Sequence, residues 1–183
     1  MPTLRRTALL LSLTLAACSQ SHRTLTNPRA KLPTHNPRTF LTSLLTDSYH
    51  GKSSAVLDRT AFQNDNQREV FKRLIAIAAG MQAVHDALFA VFPKDPHIGP
   101  DPLDAALDSV NTAVIRLEPP DTARIVPPPP GAPFTLIAQN HHWKLDYART
   151  QPGASQPVPR DALRSLDDAA KNLLQLAAAI RKH

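Results

Sequence analysis

The chain has 183 residues and a mass of 20.0 kDa, a length that favours a single domain. Hydrophobic residues make up 42% and charged residues 20%, which excludes a disordered polymer and a protein embedded throughout in a membrane. The net charge is +6, but the Lys and Arg residues are scattered and form no cluster typical of nucleic-acid binding. A single cysteine, Cys18, excludes an intrachain disulfide and a cysteine-based zinc site.

The first 17 residues have the pattern of an export signal. Arg5 and Arg6 give a basic start, and a stretch rich in Leu and Ala follows. That apolar stretch is about 11 residues long, whereas a membrane span needs about 20. Small residues lie immediately before Cys18, as they do before a signal-peptidase cut. We therefore expect residues 1–17 to be a signal peptide.

The sequence Leu15-Ala16-Ala17-Cys18 resembles the lipobox of bacterial lipoproteins at all four positions. This resemblance implies that the Cys18 thiol receives a diacylglyceryl group and that a signal peptidase then cuts before it. Two or three acyl chains, at about 0.8 kcal/mol per buried CH₂, anchor a protein firmly. An ordinary secretory signal with an incidental cysteine and a twin-arginine signal starting at Arg5 are the alternatives.

Residues 19–38 are polar, contain three prolines and show no apolar repeat. With the lipidated Cys18 they are expected to form a flexible tether over residues 18–38, with a reach of about 20–25 Å. From residue 39 apolar residues recur at regular spacing, as they do in a folded domain. We expect one domain over residues 39–183.

Helical periodicity occurs in several segments of this domain. Thr39 is a plausible N-cap for a first helix, and residues 55–57 add a short second turn. The strongest periodicity runs from about Asn66 to Phe92, with apolar residues at alternating intervals of four and three, and it indicates a long amphipathic helix that Pro93 ends. A short helix over residues 103–110 and a C-terminal helix from about Asp161 complete the set.

Between the last two helices the apolar period falls to two, which indicates β-strands. Four strands are predicted, over residues 112–117, 122–125, 134–139 and 142–147, with Asn140-His141 as the turn of the last hairpin. The expected fold class is α+β, with N-terminal helices packed on a four-stranded antiparallel meander and a C-terminal helix.

Three segments in the middle of the chain resemble the nuclear-transport-factor-two-like cone fold: residues 121–126, residues 134–137 and Asn140-His141-His142-Trp143-Lys144. Many members have an acid–Gly–x–Trp–basic hairpin where this last segment stands, and the glycine is absent here. The resemblance implies N-terminal helices that rest in a curved antiparallel sheet around a pocket.

Two groups of residues are candidates for such a pocket. Gln82 and His85 share a stripe of the long helix that a cone would direct towards its pocket. His85 could then act as a general base oriented by Asp86 or Asp146, or be a half-buried structural histidine. Trp143 and Tyr147 lie on one face of the last strand and could line the pocket, although core packing explains them as well.

Metal and cofactor binding have little support in the sequence. His141 and His142 are neighbours in a predicted hairpin, so their side chains point apart and do not chelate as a pair. Asp95, His97 and Asp101 lie in a proline-rich loop and carry oxygen and nitrogen donors, but they match no known metal spacing. We predict no metal, no cofactor and no nucleic-acid partner.

The sequence therefore predicts a cell-envelope protein held by membrane lipid through acylated Cys18, facing the extracytoplasmic side of the cell membrane or outer membrane. A non-enzymatic binding or structural domain is the main expectation, with an envelope protein or a small apolar ligand as partner. The alternative is an enzyme with a cone-shaped pocket that uses His85 as general base.

The Cys18→Ala variant tests the anchor, because no other side chain in the chain can form the thioether. Cells grown with a radioactive fatty acid should label the unaltered protein and leave the variant unlabelled. Equal labelling of the two proteins would contradict the assignment of Cys18 as the lipidated residue.

Overall fold

A computed structural model describes residues 32–151 and 156–182. The predicted signal peptide, Cys18 and the tether up to residue 31 lie outside the described residues. The described helices and strands follow one another in an α+β arrangement. The helices are α1 (Pro37–Tyr49), α2 (Ser53–Asp58), α3 (Asp65–Val91), α4 (Pro102–Asn111), α5 (Tyr147–Thr150) and α6 (Arg160–Ile180). The strands are β1 (Thr60–Ala61), β2 (Val114–Glu118), β3 (Thr122–Val126), β4 (Phe134–Gln139) and β5 (His142–Asp146).

Side-chain caps fix where helices α1, α3 and α4 begin. The Asn36 side chain accepts a hydrogen bond from the backbone N–H of Arg38 at 2.8 Å, and Pro37 supplies the first residue of α1. Asn64 caps α3 in the same way through the N–H of Gln67. Asp101 caps α4. The long amphipathic helix predicted over about residues 66–92 is α3.

The sheet has five strands in the order β1-β5-β4-β3-β2. Strands β2 to β5 form the predicted antiparallel meander. The predicted N-terminal helices and the predicted C-terminal helix are also present. The prediction of a four-stranded, fully antiparallel sheet is wrong, because β1 adds a fifth strand parallel to β5. With only two residues, β1 is too short to show an apolar period.

The turn between β4 and β5 lies at Asn140-His141, as predicted. Both residues have positive φ angles, 50° for Asn140 and 64° for His141. Two successive residues in the left-handed region are what a two-residue type I′ hairpin requires. Asn and His both adopt that region more often than most residues other than glycine, which allows this turn without a glycine.

The core lies between the sheet and α1. Apolar residues of α1 and α2 pack on the helix-facing side of β3, β4 and β5, and the largest contributors are Leu41, Leu44, Val56, Ile125, Leu136, Trp143 and Leu145. The predicted facing of β5 is confirmed, because Trp143, Leu145 and Tyr147 are each 3% exposed. The intervening Lys144 and Asp146 are partly exposed.

The end of the predicted tether is part of this core. Pro33 is buried, and the backbone carbonyl of His35 accepts a 2.7 Å hydrogen bond from the indole N–H of Trp143. The Arg38 guanidinium donates to the backbone carbonyls of Asn111 and Ala113. Helix α1 therefore begins two residues before the predicted boundary at residue 39, and the packed chain begins near residue 33.

Helix α6 packs along α3 and runs in the same direction. The side chain of Asn66 donates to the carbonyl of Gln156 near the start of both helices, and Arg73 pairs with Asp167 at 3.0 Å further along. At Gly80 the backbones approach closely, since a Cβ added there would lie 2.9 Å from the Cβ of Leu173. By length and apolar composition, α3 alone among the described helices could cross a membrane. Here it packs between α1 and α6.

A chain shortened to begin at Thr39 should be less stable than one beginning at Leu32. It lacks the Asn36 cap, the Arg38 bonds and the carbonyl that pairs with Trp143, which together should cost about 2–4 kcal/mol. Urea unfolding followed by the emission of Trp143, the single tryptophan, measures the difference. Equal midpoints for the two chains would show that residues 33–38 do not contribute to packing.

The Gly80→Ala variant should be destabilised by about 1 kcal/mol. Overpacking against Leu173 costs about 1–3 kcal/mol, which exceeds the roughly 1 kcal/mol that Ala gains over Gly within a helix. Gly99→Ala is the control, because no atom lies within 4 Å of its added Cβ. A Gly80→Ala protein that melts above the unaltered protein would contradict this close approach of α3 and α6.

Candidate functional site

An open pocket lies at the C-terminal end of α3. It has a volume of about 560 Å³, and its walls are the last turns of α3, the loop over residues 92–101 and the first turn of α4. Pro93 prevents α3 from continuing, and the loop then turns at Asp95, whose side chain accepts from the backbone N–H of His97 at 2.9 Å. This pocket lies at the end of the helix and is not enclosed by the sheet.

His85 forms part of the pocket wall, and its Nδ1 faces two carboxylates. Nδ1 lies 3.4 Å from Oδ2 of Asp101 and 3.9 Å from Oδ1 of Asp86. The His85 side chain is 15% exposed, and its ring stacks on that of Phe89 with centroids 6.3 Å apart. The Nδ1 atom itself is buried and makes no hydrogen bond of good geometry with the described residues.

Gln82 lies one turn before His85 and links α3 to α4. Its Nε2 donates to Oδ1 of Asp86 at 2.9 Å and to Oδ2 of Asp101 at 2.8 Å. Its Oε1 accepts from the backbone N–H of Leu103 at 3.2 Å. Because the Gln82 side chain is only 8% exposed, these partners satisfy an amide that burial would otherwise penalise.

Asp101 is the residue on which this arrangement converges. Its Oδ1 accepts from the backbone N–H groups of Leu103 and Asp104, as an N-cap does, while its Oδ2 accepts from Gln82. Burial by itself would raise the pKa of Asp101. The hydrogen bonds from Gln82, Asp104 and Leu103 and the nearby His85 outweigh it, so the pKa lies below its ordinary value.

The carboxylate of Asp101 also changes the pKa of Tyr49 in α1. Burial raises the pKa of its phenol, and the negative charge of Asp101 raises it further. The neutral phenol is therefore the form present at neutral pH. The charge of Asp101 thus acts on three neighbouring elements: α1, α3 and α4.

Donor atoms of His85, Asp86 and Asp101 lie within 4.8 Å of one another, which is close enough to share a metal ion. The Gln82 amide, however, directs its N–H groups at both carboxylates. A metal ion between these groups would meet those N–H hydrogens and would have to displace Gln82. The arrangement therefore fits a hydrogen-bond network that joins α3 to α4 better than a ligand set for a metal.

The pocket carries a local excess of negative charge. Four aspartates line it, and the described lining contains neither Lys nor Arg, in a chain whose net charge is +6. The remaining walls are largely apolar and are formed by Phe89, Ala90, Pro93, Ile98 and Pro100. Such a pocket can hold a cationic group while its walls contact an apolar body.

The four residues predicted for one pocket do not share it. His85 lines the pocket and Gln82 lies behind it, but Trp143 and Tyr147 are in the core. The Tyr147 ring packs against Phe62 and Phe71, with centroids 5.8 and 4.9 Å away. Trp143 contributes instead to a separate, smaller pocket of about 280 Å³ beside α1.

Of the two acidic partners expected for His85, Asp86 lies 3.9 Å from its Nδ1, but Asp146 is elsewhere and the nearer carboxylate is that of Asp101. Asp146 caps α5 and pairs with Arg149, so it does not orient His85. Asp101, assigned in the sequence to a separate loop set with Asp95 and His97, takes that position. The Asp-Pro sequence at residues 101–102 is a helix-start signal that places Asp101 at the beginning of α4, but it does not reveal what α4 packs against.

Comparison of the chain with protein-family models, curated proteins and solved structures finds no match to any of them. The resemblances to the lipobox and to the cone fold therefore stay predictions.

The pH dependence of stability should report on Asp101. Because its folded pKa is lowered, its ionised form stabilises the protein above the unfolded pKa, and this contribution is lost as the pH falls from about 4 through the folded value. Asp101→Asn keeps a capping side chain but not the charge, so its loss of stability on acidification should be shallower than that of the unaltered protein. Parallel curves between pH 2 and 6 would contradict the lowered pKa.

Proposed function

We propose that this protein is a lipid-anchored binding protein of the cell envelope, and that its pocket at the end of α3 binds a cationic group carried on an apolar body. The observation that carries the proposal is the combination of four aspartates with apolar walls in one open pocket. The export signal and the lipobox-like sequence ending at Cys18 support the location.

The carboxylates of the pocket differ in how far they are already satisfied. Asp101 and Asp86 share the Gln82 amide, whereas Asp95 and Asp104 are exposed and form no described ion pair. A ligand ammonium or guanidinium group would therefore gain most from Asp95 and Asp104, with the other carboxylates adding to the field. Attraction between groups this exposed is screened by salt, so binding should weaken as ionic strength rises.

The apolar walls supply the second half of the recognition. Phe89 is 56% exposed, which is unusual for a phenylalanine, and its ring lies beside His85 at the pocket. An aromatic face contributes about 0.5–1 kcal/mol to the binding free energy of a cation at an exposed site. The same ring can also pack against alkyl groups. An amphiphilic amine, or a lysine or arginine side chain of an envelope protein, has both chemical features.

A matched set of ligands tests this proposal. Hexylamine, hexanol and hexanoate have chains of the same length but carry a positive, a neutral and a negative head group. Titration calorimetry at low salt should give the tightest binding for hexylamine, at least about tenfold weaker binding for hexanol and none for hexanoate. Equal binding of the amine and the alcohol would refute a role for the aspartates.

Two variants of α4 localise the effect. Asp104 lines the pocket, whereas Asp108 is exposed one turn later and does not line it. Asp104→Asn should weaken hexylamine binding several-fold, and Asp108→Asn should leave it within about twofold. The same loss in both variants would mean that only the overall charge of the domain matters.

A specific contact favours a second candidate, an enzyme. His85 lies in the pocket wall with its Nδ1 3.4 Å from Oδ2 of Asp101; the two atoms make no hydrogen bond of good geometry here, but a carboxylate so placed can orient a general base. Turnover of an ester or amide of a cationic substrate distinguishes the candidates. An enzyme should turn such a substrate over and lose that activity in His85→Gln, which removes the base but leaves the aspartates, whereas a binding protein should bind the amine and turn over none of these substrates.

A further inference from the structure

Strand β2 leaves one edge of the sheet open. It pairs with β3 on one side, and no strand among residues 32–151 and 156–182 pairs with its other side. Val114 and Leu117, which point to opposite faces, are 58% and 57% exposed. The other end of the sheet is formed by β1, which has only two residues. An open edge with exposed apolar side chains is a template for pairing with another strand.

The charges on β2 are not balanced within the described chain. Arg116 lies directly opposite Arg124 of β3, and like charges in that position are unfavourable. Glu118, two residues further along the same face, is exposed. No ion pair joins any of these three side chains to another side chain of the described segments.

We propose that the open edge of β2 pairs antiparallel with β2 of a second copy of this chain. In such a pair, directly opposite side chains lie on the same face of the sheet. The possible registers are therefore those in which one residue of β2 lies opposite the same residue of the second copy. Centring the pair on Leu117 places the two Leu117 side chains together. Arg116 then lies opposite Glu118 of the second copy, and Glu118 opposite Arg116 of the second copy.

The neighbouring registers are less favourable. Centring on Arg116 would place two arginines opposite each other, adding to the repulsion from Arg124. Centring on Ile115 would place Val114 opposite Arg116 of the second copy and leave Glu118 beyond the end of β2 without a cation. The Leu117-centred register pairs residues 116–118 of the two copies, because Ile115 and Val114 lie opposite Pro119 and Pro120, which lack a backbone N–H and end the ladder.

This pairing joins the two sheets into one sheet of ten strands, with the order β1-β5-β4-β3-β2 continuing in reverse through the second copy. The pocket at the end of α3 has no lining residue in β2 or β3, so pairing does not require a ligand. A dimer would also hold two anchored chains side by side on one membrane, if both carry the predicted acyl group.

Leu117→Cys gives the most direct test, made in the full chain. Cys18 is the only native cysteine and is occupied in the predicted lipidated form, so the introduced thiol is the free one. Across a two-fold axis, opposite Cα atoms lie about 4.5–5.5 Å apart, which permits a disulfide. Mild oxidation should convert most of the protein into a disulfide-linked dimer. Leu176→Cys, at a residue 50% exposed on α6, should not cross-link.

Charge exchange tests the register independently. In the Leu117→Cys background, Arg116→Glu places glutamates opposite each other and should reduce the rate of cross-linking at least tenfold. Adding Glu118→Arg reverses both charges and should restore the rate to within about threefold. Arg124→Glu, one strand inside the edge, is the control and should keep cross-linking fast. No Leu117→Cys dimer, or equal rates in all variants, would overturn the proposal.

Discussion

The buried amide of Gln82 is the contact on which the rest of the candidate site depends. It lies in the middle of α3 and holds Asp86 of its own helix, Asp101 at the start of α4 and the backbone of Leu103 at once. Without it, two carboxylates would face each other at the base of the pocket with no shared donor. The same contact fixes the start of α4, a helix that also packs on α1 and leads into β2.

Charge is distributed unevenly over the molecule, and this separates its two candidate binding surfaces. The pocket collects aspartates at the end of α3, whereas the exposed face of β2 and β3 carries opposed arginines. The proposed recognition of a cation rests on a lining with four aspartates and, among the described residues, no Lys or Arg. The proposed pairing with a second copy rests on an exposed edge that carries both Arg116 and Glu118.

Much of the fold could be predicted from the sequence, because long periodic segments determine it. The period of α3, the alternation in β4 and β5 and the Asn140-His141 turn are local signals that need no tertiary information. Strand β1 could not be found, because two residues carry no period and its partner is distant in the chain. The proximity of His85 and Asp101 could not be predicted for a similar reason. It depends on how α4 packs on α3, and the local sequence around either residue carries no signal of that packing. The strand pattern of Trp143 and Tyr147 fits a pocket wall and a core position equally, and tertiary packing places both side chains in the core.

A titration of the isotope-labelled protein with hexylamine, followed by amide resonances, tests the central claim most directly. The backbone N–H groups of Leu103 and Asp104 and the side-chain amide of Gln82 all donate to Asp101, so their resonances report on charge entering the pocket. The account predicts saturable shifts of these three signals, while the indole N–H of Trp143, bonded to His35, stays unchanged. Shifts confined to Trp143 and its surroundings would contradict the account and place the binding site beside α1.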